Sequence, residues 1–269
     1  MKRAMRLVIL ANLLFLVLRS LPSFNSKPLY YILYIASFVL PSALALYLGR
    51  EGRTKEKYLS IDRGGVELLA LSLFPTLALV TLFAFLTSLL LGAFGFNDAF
   101  VIEGGYLEAM AVYALLPAVL EELLFRYVPL RLISHRSGRA TLLFSSLFFS
   151  LAHCNLFQIP YAFLAGLIFI AVDMAAGSVL PSLIIHFLNN AADITLKFYG
   201  TDKIRIGYYI AVGVLAVVSF AVLYLRRKRH SQRVREILSP RADDREIDMS
   251  VMLVIFPTLF VAITNLIQA

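Results

Sequence analysis

Residues 116–132 read "LPAVLEELLFRYVPLRL", and the reading of this stretch decides what kind of protein the chain is. Its leucines, valines and phenylalanine make a helix apolar enough for a bilayer interior. It nevertheless holds Glu121, Glu122 and Arg126. At the centre of a membrane helix each such charge costs on the order of 2.5–3.5 kcal/mol, so a helix kept only for packing is expected to shed them. The composition agrees with a bilayer setting. The 269 residues are 60% hydrophobic and 16% charged, with a mean hydropathy of +0.81, whereas a soluble domain is about 25% charged.

Working outward, apolar segments lie at roughly 5–19, 28–48, 67–95, 107–130, 140–156, 158–176, 178–197 and 206–225, with a last one at roughly 249–268. The expected fold is therefore all-α: a polytopic transmembrane helical bundle of about eight spans, with a candidate ninth, C-terminal hydrophobic helix. Residues 1–225 form the helical domain, with the core of interest at 107–197; residues 226–248 form a basic linker and 249–269 the final hydrophobic segment. The start, "MKRAMRLVILANLLFLVLRS", resembles a signal peptide. No small-x-small cleavage site precedes the next span, so it reads as a retained first helix. The last segment, "SVMLVIFPTLFVAITNLIQ", is uncharged. As a helix it would be about 28 Å long, just enough to span, and membrane helices tolerate a proline such as Pro257.

Charge sets the orientation. With the N-terminus in the cytoplasm and eight spans, the inside loops hold 19 basic residues and the outside loops and span ends hold 5. Positive charge is retained on the cytoplasmic side, so the N-terminus and the linker "LRRKRHSQRVREIL" are expected there. In a prokaryote the membrane would be the plasma membrane. The net charge of +8 is thus an orientation signal, and no nucleic-acid partner is expected. Cys154 is the single cysteine, which excludes an intrachain disulfide framework.

Three apolar helices carry polar groups at helical spacing. Glu122 and Arg126 are four apart and share a face, so they can pair along the helix. Glu121 is rotated by about 100° from Glu122 at 3.6 residues per turn. The arginine therefore neutralises Glu122 more readily and leaves Glu121 as the candidate general base. In "FFSLAHCN", His153 follows Phe149 by four residues. Cys154 beside it points about 100° away, which argues against a Cys–His nucleophile. In "GSVLPSLIIHFLNNAAD", His186 and Asn190 are four apart, with Asn189 close by, and both offer donors suited to an oxyanion. Counted along their helices, Glu121 lies roughly 10–15 Å, His186 about 12 Å, and Asn190 and His153 about 18–20 Å from the cytoplasmic end. All four could line one cavity opening to the cytoplasm.

The order "EELLFR", "FSLAH", "HFLNN" resembles the CAAX protease and bacteriocin-processing family of intramembrane endopeptidases, type II CAAX prenyl endopeptidases among them. The resemblance covers about residues 110–195. It implies that Glu121 activates a water and His153 helps position it, that His186 and Asn190 stabilise the tetrahedral oxyanion, and that Glu122 and Arg126 support the site. The substrate it implies is a membrane-associated protein or peptide, met within the lipid bilayer. Tyr127 stands where many members have a small residue, and it is expected to narrow the cavity mouth. The family has been described as metal-dependent, and two histidines with a glutamate are a donor set that zinc accepts. No His-Glu-x-x-His helix is present, so no cofactor is assigned. The competing classes are a proton-coupled transporter using the same carboxylates and histidines as a relay, and an inactive scaffold of the same fold. The absence of inverted repeats argues against the first, and the filled motif positions argue against the second.

Overall fold

A computed structural model of the protein describes residues 2–22, 26–56, 58–96, 102, 104–226, 235, 239 and 252–268. The basic linker therefore lies almost wholly outside the described residues. Among those described the chain is all-helical, with helices at the nine apolar segments read from the sequence: α1 (Lys2–Arg19), α2 (Lys27–Leu48), α3 (Arg63–Ala93), α4 (residues 106–132), α5 (Gly138–Ala152), α6 (Ile159–Ala176), α7 (Leu180–Tyr199), α8 (Asp202–Leu225) and α9 (Met252–Gln268). Four of them, α2, α3, α6 and α8, are long and apolar enough to cross a membrane. This is a multi-pass integral membrane protein.

Local chemistry sets the helix ends. The side chains of Ser26, Asp62, Ser137 and Thr201 each accept a backbone N–H from the first turn that follows, satisfying a donor that the helix itself cannot. At the end of α6, Gly177 adopts φ +66° and closes the helix on the Asp173 carbonyl, a left-handed cap that glycine takes without strain. The expected span over 140–156 is cut short. Helix α5 stops at Ala152, Cys154 turns the chain at φ +48°, and the Asn155 side chain accepts the Phe157 N–H. Fifteen residues reach only about 22 Å, less than a hydrocarbon core of about 30 Å. His153 therefore sits at a helix end and not within a helix.

Packing brings the later helices together around α4. Helices α5 and α6 cross closely at Gly166, where a Cβ would come within 2.9 Å of the Ser146 backbone. Helix α4 is not a regular α-helix: π turns at Met110–Leu115 and Leu123–Tyr127 interrupt it, a feature frequent at functional sites. The second of these carries Arg126. Helix α9 packs on α1 and α5, burying Val254, Thr258 and Ala262, a seam repeating every four residues.

One end of the bundle is tied shut by the segment between α2 and α3. The Tyr58 carbonyl accepts the Val179 N–H at 2.9 Å, and its hydroxyl meets the Ser134 hydroxyl at 3.0 Å. Thr54 donates its N–H to the Arg131 carbonyl at 2.9 Å, and the Arg131 guanidinium returns a bond to the Glu56 carbonyl. Beneath this strap Arg131, Ser137, Asp173 and Ser178 are buried. Backbone bonds of this segment thus hold the end of α4 and the start of α7.

Candidate functional site

The site is built on α4, α5, α6 and α7. Glu122 and Arg126 are fully buried, and their Oε2 and Nε lie 3.2 Å apart, the pair anticipated from their i,i+4 spacing. The other oxygen of Glu122 accepts the Nδ1–H of His186 from α7 at 2.8 Å. A carboxylate can only accept, so this bond fixes the donor nitrogen of the imidazole. Nε2 then faces Oε2 of Glu121 at 3.8 Å, beyond hydrogen-bond length. The imidazole of His186 thus stands between two glutamates.

The guanidinium of Arg126 is held by aromatic faces. It lies 4.1 Å from the centroid of the Phe149 ring and 5.4 Å from that of Phe169, a cation–π geometry strengthened by exclusion of water. None of its nitrogens has a hydrogen-bond partner among the described residues, and Oε2 of Glu121 has none either. Phe149 also packs edge-on against both His153 and His186, at 5.1 and 5.6 Å between centroids. One ring therefore touches the arginine and both histidines.

Two site residues anticipated from the sequence make other hydrogen bonds. His153 hydrogen-bonds the Phe149 carbonyl through Nδ1 at 2.8 Å, leaving Nε2 as its outward nitrogen. Asn190 accepts from Asn189 at 3.3 Å. Neither is hydrogen-bonded to Glu121, Glu122 or His186 among the described residues. The Cys154 thiol donates to the Leu151 carbonyl at 3.6 Å. No three His, Cys, Asp or Glu side chains are grouped as a metal site requires among the described residues. Nδ1 of His186 is taken by Glu122, which leaves Nε2 as its one nitrogen facing the site, and no step is routed through a metal.

Asp173 was not anticipated. It lies near the end of α6, fully buried, and its Oδ1 accepts the backbone N–H of Ser182 at 3.0 Å. Its electrostatic neighbours are Glu122 and Arg126. The signal was present in the sequence: "LIFIAVDMAAG" holds a single charge in an apolar run, at the same cost as those on α4.

The fold and this buried carboxylate–imidazole–guanidinium cluster define a polytopic membrane protein with an ionisable site held inside its helical bundle. Residues 104–192, about a third of the chain, match the family model for type II CAAX prenyl endopeptidase, Rce1-like, which bears out the family resemblance carried by the three motifs. No curated protein and no solved structure matches the chain.

Proposed function

We propose that the protein is a membrane-embedded endopeptidase (EC 3.4 class) that hydrolyses a peptide bond of a membrane-associated protein or peptide, either a CAAX-like C-terminal tail or a leader peptide. The family match supports peptidase chemistry. The observation that carries the mechanism is the placing of His186 between Glu122, which it bonds, and Glu121, which it faces at 3.8 Å. Arg126 compensates Glu122, so Glu121 is the carboxylate left for chemistry.

In this mechanism Glu121 takes a proton from water as the water oxygen attacks the scissile carbonyl carbon. The carbonyl π electrons move onto oxygen, and His186 through Nε2–H and Asn190 through its amide donate to that oxyanion. In that role the imidazole carries both protons, a cation between two carboxylates. Glu121 then passes its proton to the departing amine nitrogen as the C–N bond breaks, releasing a carboxylic acid and an amine, which exchange a proton to leave as carboxylate and ammonium. His153, presenting Nε2, helps hold the attacking water. Glu122 and Arg126 keep His186 oriented. The N-terminus lies in the cytoplasm, by the distribution of basic residues, and about eight of the helices are embedded in the bilayer.

The test is cleavage of a farnesylated peptide carrying a fluorophore and quencher on either side of the scissile bond, by the purified protein in detergent. Wild type is expected to cleave it, and Glu121→Gln to lose at least about 100-fold in kcat, the scale of general base catalysis. Turnover by Glu121→Gln at the wild-type rate would overturn the mechanism.

A further inference from the structure

Helix α7 carries His186 and Asn190, so its first turn sets where both side chains lie. The backbone donors of that turn are all accounted for, and each partner differs. Val179 donates to the Tyr58 carbonyl at 2.9 Å, Leu180 to the Ser178 hydroxyl at 3.2 Å, and Leu183 to the Val179 carbonyl at 3.2 Å. Pro181 has no N–H to satisfy. Ser182 donates to Oδ1 of Asp173 at 3.0 Å. This last bond is the only one of the four in which a side chain from another helix holds the turn. An N–H at the third helical position has no partner within its own helix, and burying it unpaired is costly.

We propose that Asp173 is a positioning residue of the site: by accepting the Ser182 N–H it fixes the axial position and rotation of α7, and so holds His186, one helical turn further on, against Glu122. The inference rests on the reading of His186 as a group acting at the reacting centre. Its geometry is a path of three contacts joined by one turn of α7. Asp173 holds Ser182 and Ser182 leads along α7 to His186; His186 bonds Glu122, and Glu122 pairs with Arg126. The Ser182 side chain also neighbours the carboxylates of both Asp173 and Glu122. An apolar residue at 173 would fill the space but leave the first turn of α7 free to shift. A displacement of about 1 Å at such a distance costs on the order of 100-fold in rate.

The experiment compares Asp173→Leu, which removes the acceptor, with Asp173→Asn, which keeps an acceptor oxygen. The chain has 4 histidines, so histidine-selective 15N labelling of the full-length protein in detergent resolves the His186 ring, and substitution of His186 assigns it. Asp173→Leu is expected to shift the His186 Nδ1 and Nε2 resonances while leaving those of His135 in place. Its kcat on the farnesylated peptide, per mole of folded protein, should fall by about 10- to 100-fold with KM within twofold. Asp173→Asn should recover most of both effects. If Asp173→Leu does not fold, Ser182→Pro deletes the same bond from the donor side, at a position in the first turn where helices accept proline. Unchanged His186 resonances, or an Asn variant as impaired as Leu, would overturn the proposal. A wild-type protein that cleaves nothing, together with the expected His186 shifts, would overturn the peptidase reading and leave the positioning role standing.

Discussion

The Nδ1–H of His186 donates to Oε1 of Glu122 at 2.8 Å, joining α7 to α4 across 64 residues of chain. The bond settles which imidazole nitrogen can face Glu121, and it gives Glu122 a second partner besides Arg126. Two neighbouring glutamates thereby acquire different work. Glu122 is buried and holds both Arg126 and His186, whereas Glu121 faces His186 at 3.8 Å without bonding it.

That division predicts opposite signatures for two isosteric variants. Glu122→Gln leaves the buried Arg126 without its counter-charge, and breaking a buried pair from one side costs about 3–5 kcal/mol. Its thermal unfolding midpoint should fall well below that of Glu121→Gln. Glu121→Gln should fold like wild type and fail in turnover. Unfolding curves and single-turnover rates on the same preparations check the pattern. Equal destabilisation by the two variants would contradict it.

Phe149 touches Arg126, His153 and His186 at once. Phe149→Leu keeps an apolar side chain but loses the ring face under the guanidinium. The cation–π part should cost about 1–2 kcal/mol in stability, with kcat falling alongside because both histidine rings lose a wall. Phe148→Leu on the same helix, away from the arginine, should lower stability without a comparable loss in kcat per folded molecule.

Cys154→Ser should retain kcat within about twofold, and thiol alkylation should leave activity in place, since the proposed chemistry runs through Glu121 and a water while the thiol donates to the Leu151 carbonyl. Cys154→Gly should be at least as stable as wild type, because the residue holds φ +48°, a conformation glycine adopts without strain. Inactivation of Cys154→Ser with its fold intact would restore a thiol mechanism.

Cysteines placed at exposed Lys55 and Lys203 in a Cys154→Ser background should label from opposite faces of the membrane. The first belongs to the strap between α2 and α3, and the second begins α8. Labelling of residue 55 from the cytoplasmic side is expected from the positive-inside distribution. Labelling of it from outside would invert the orientation.

Deletion of residues 246–269 removes α9, which contributes no site residue but buries Val254, Thr258 and Ala262 against its neighbours. The truncated protein is expected to turn over the same peptide at the wild-type rate per folded molecule, with a lower unfolding midpoint. Loss of kcat in the folded truncation would place α9 in the functional unit.

Much of this protein could be read locally. Helix positions follow from apolar run length, and the Glu122–Arg126 pair from two residues one turn apart on one helix. The family follows from three motifs that each fit within six residues. These are properties of neighbours along the chain, where covalent geometry alone sets the distances. What the sequence could not supply were relationships between helices, because helix rotation and depth are decided by packing. The short α5, which leaves His153 at a helix end, depends on a left-handed Cys154 that no composition announces. The strap depends on Thr54, Glu56 and Tyr58 reaching α4 and α7. The bond from His186 to Glu122, and not to Glu121, depends on how α7 is turned against α4. The isolated charge of Asp173 was visible in an apolar run, but its partner was not, since only the folded chain brings Ser182 to it. Residue chemistry and spacing determined which polar groups lie in apolar helices and which pair along one helix; tertiary packing decided which of them meet across helices.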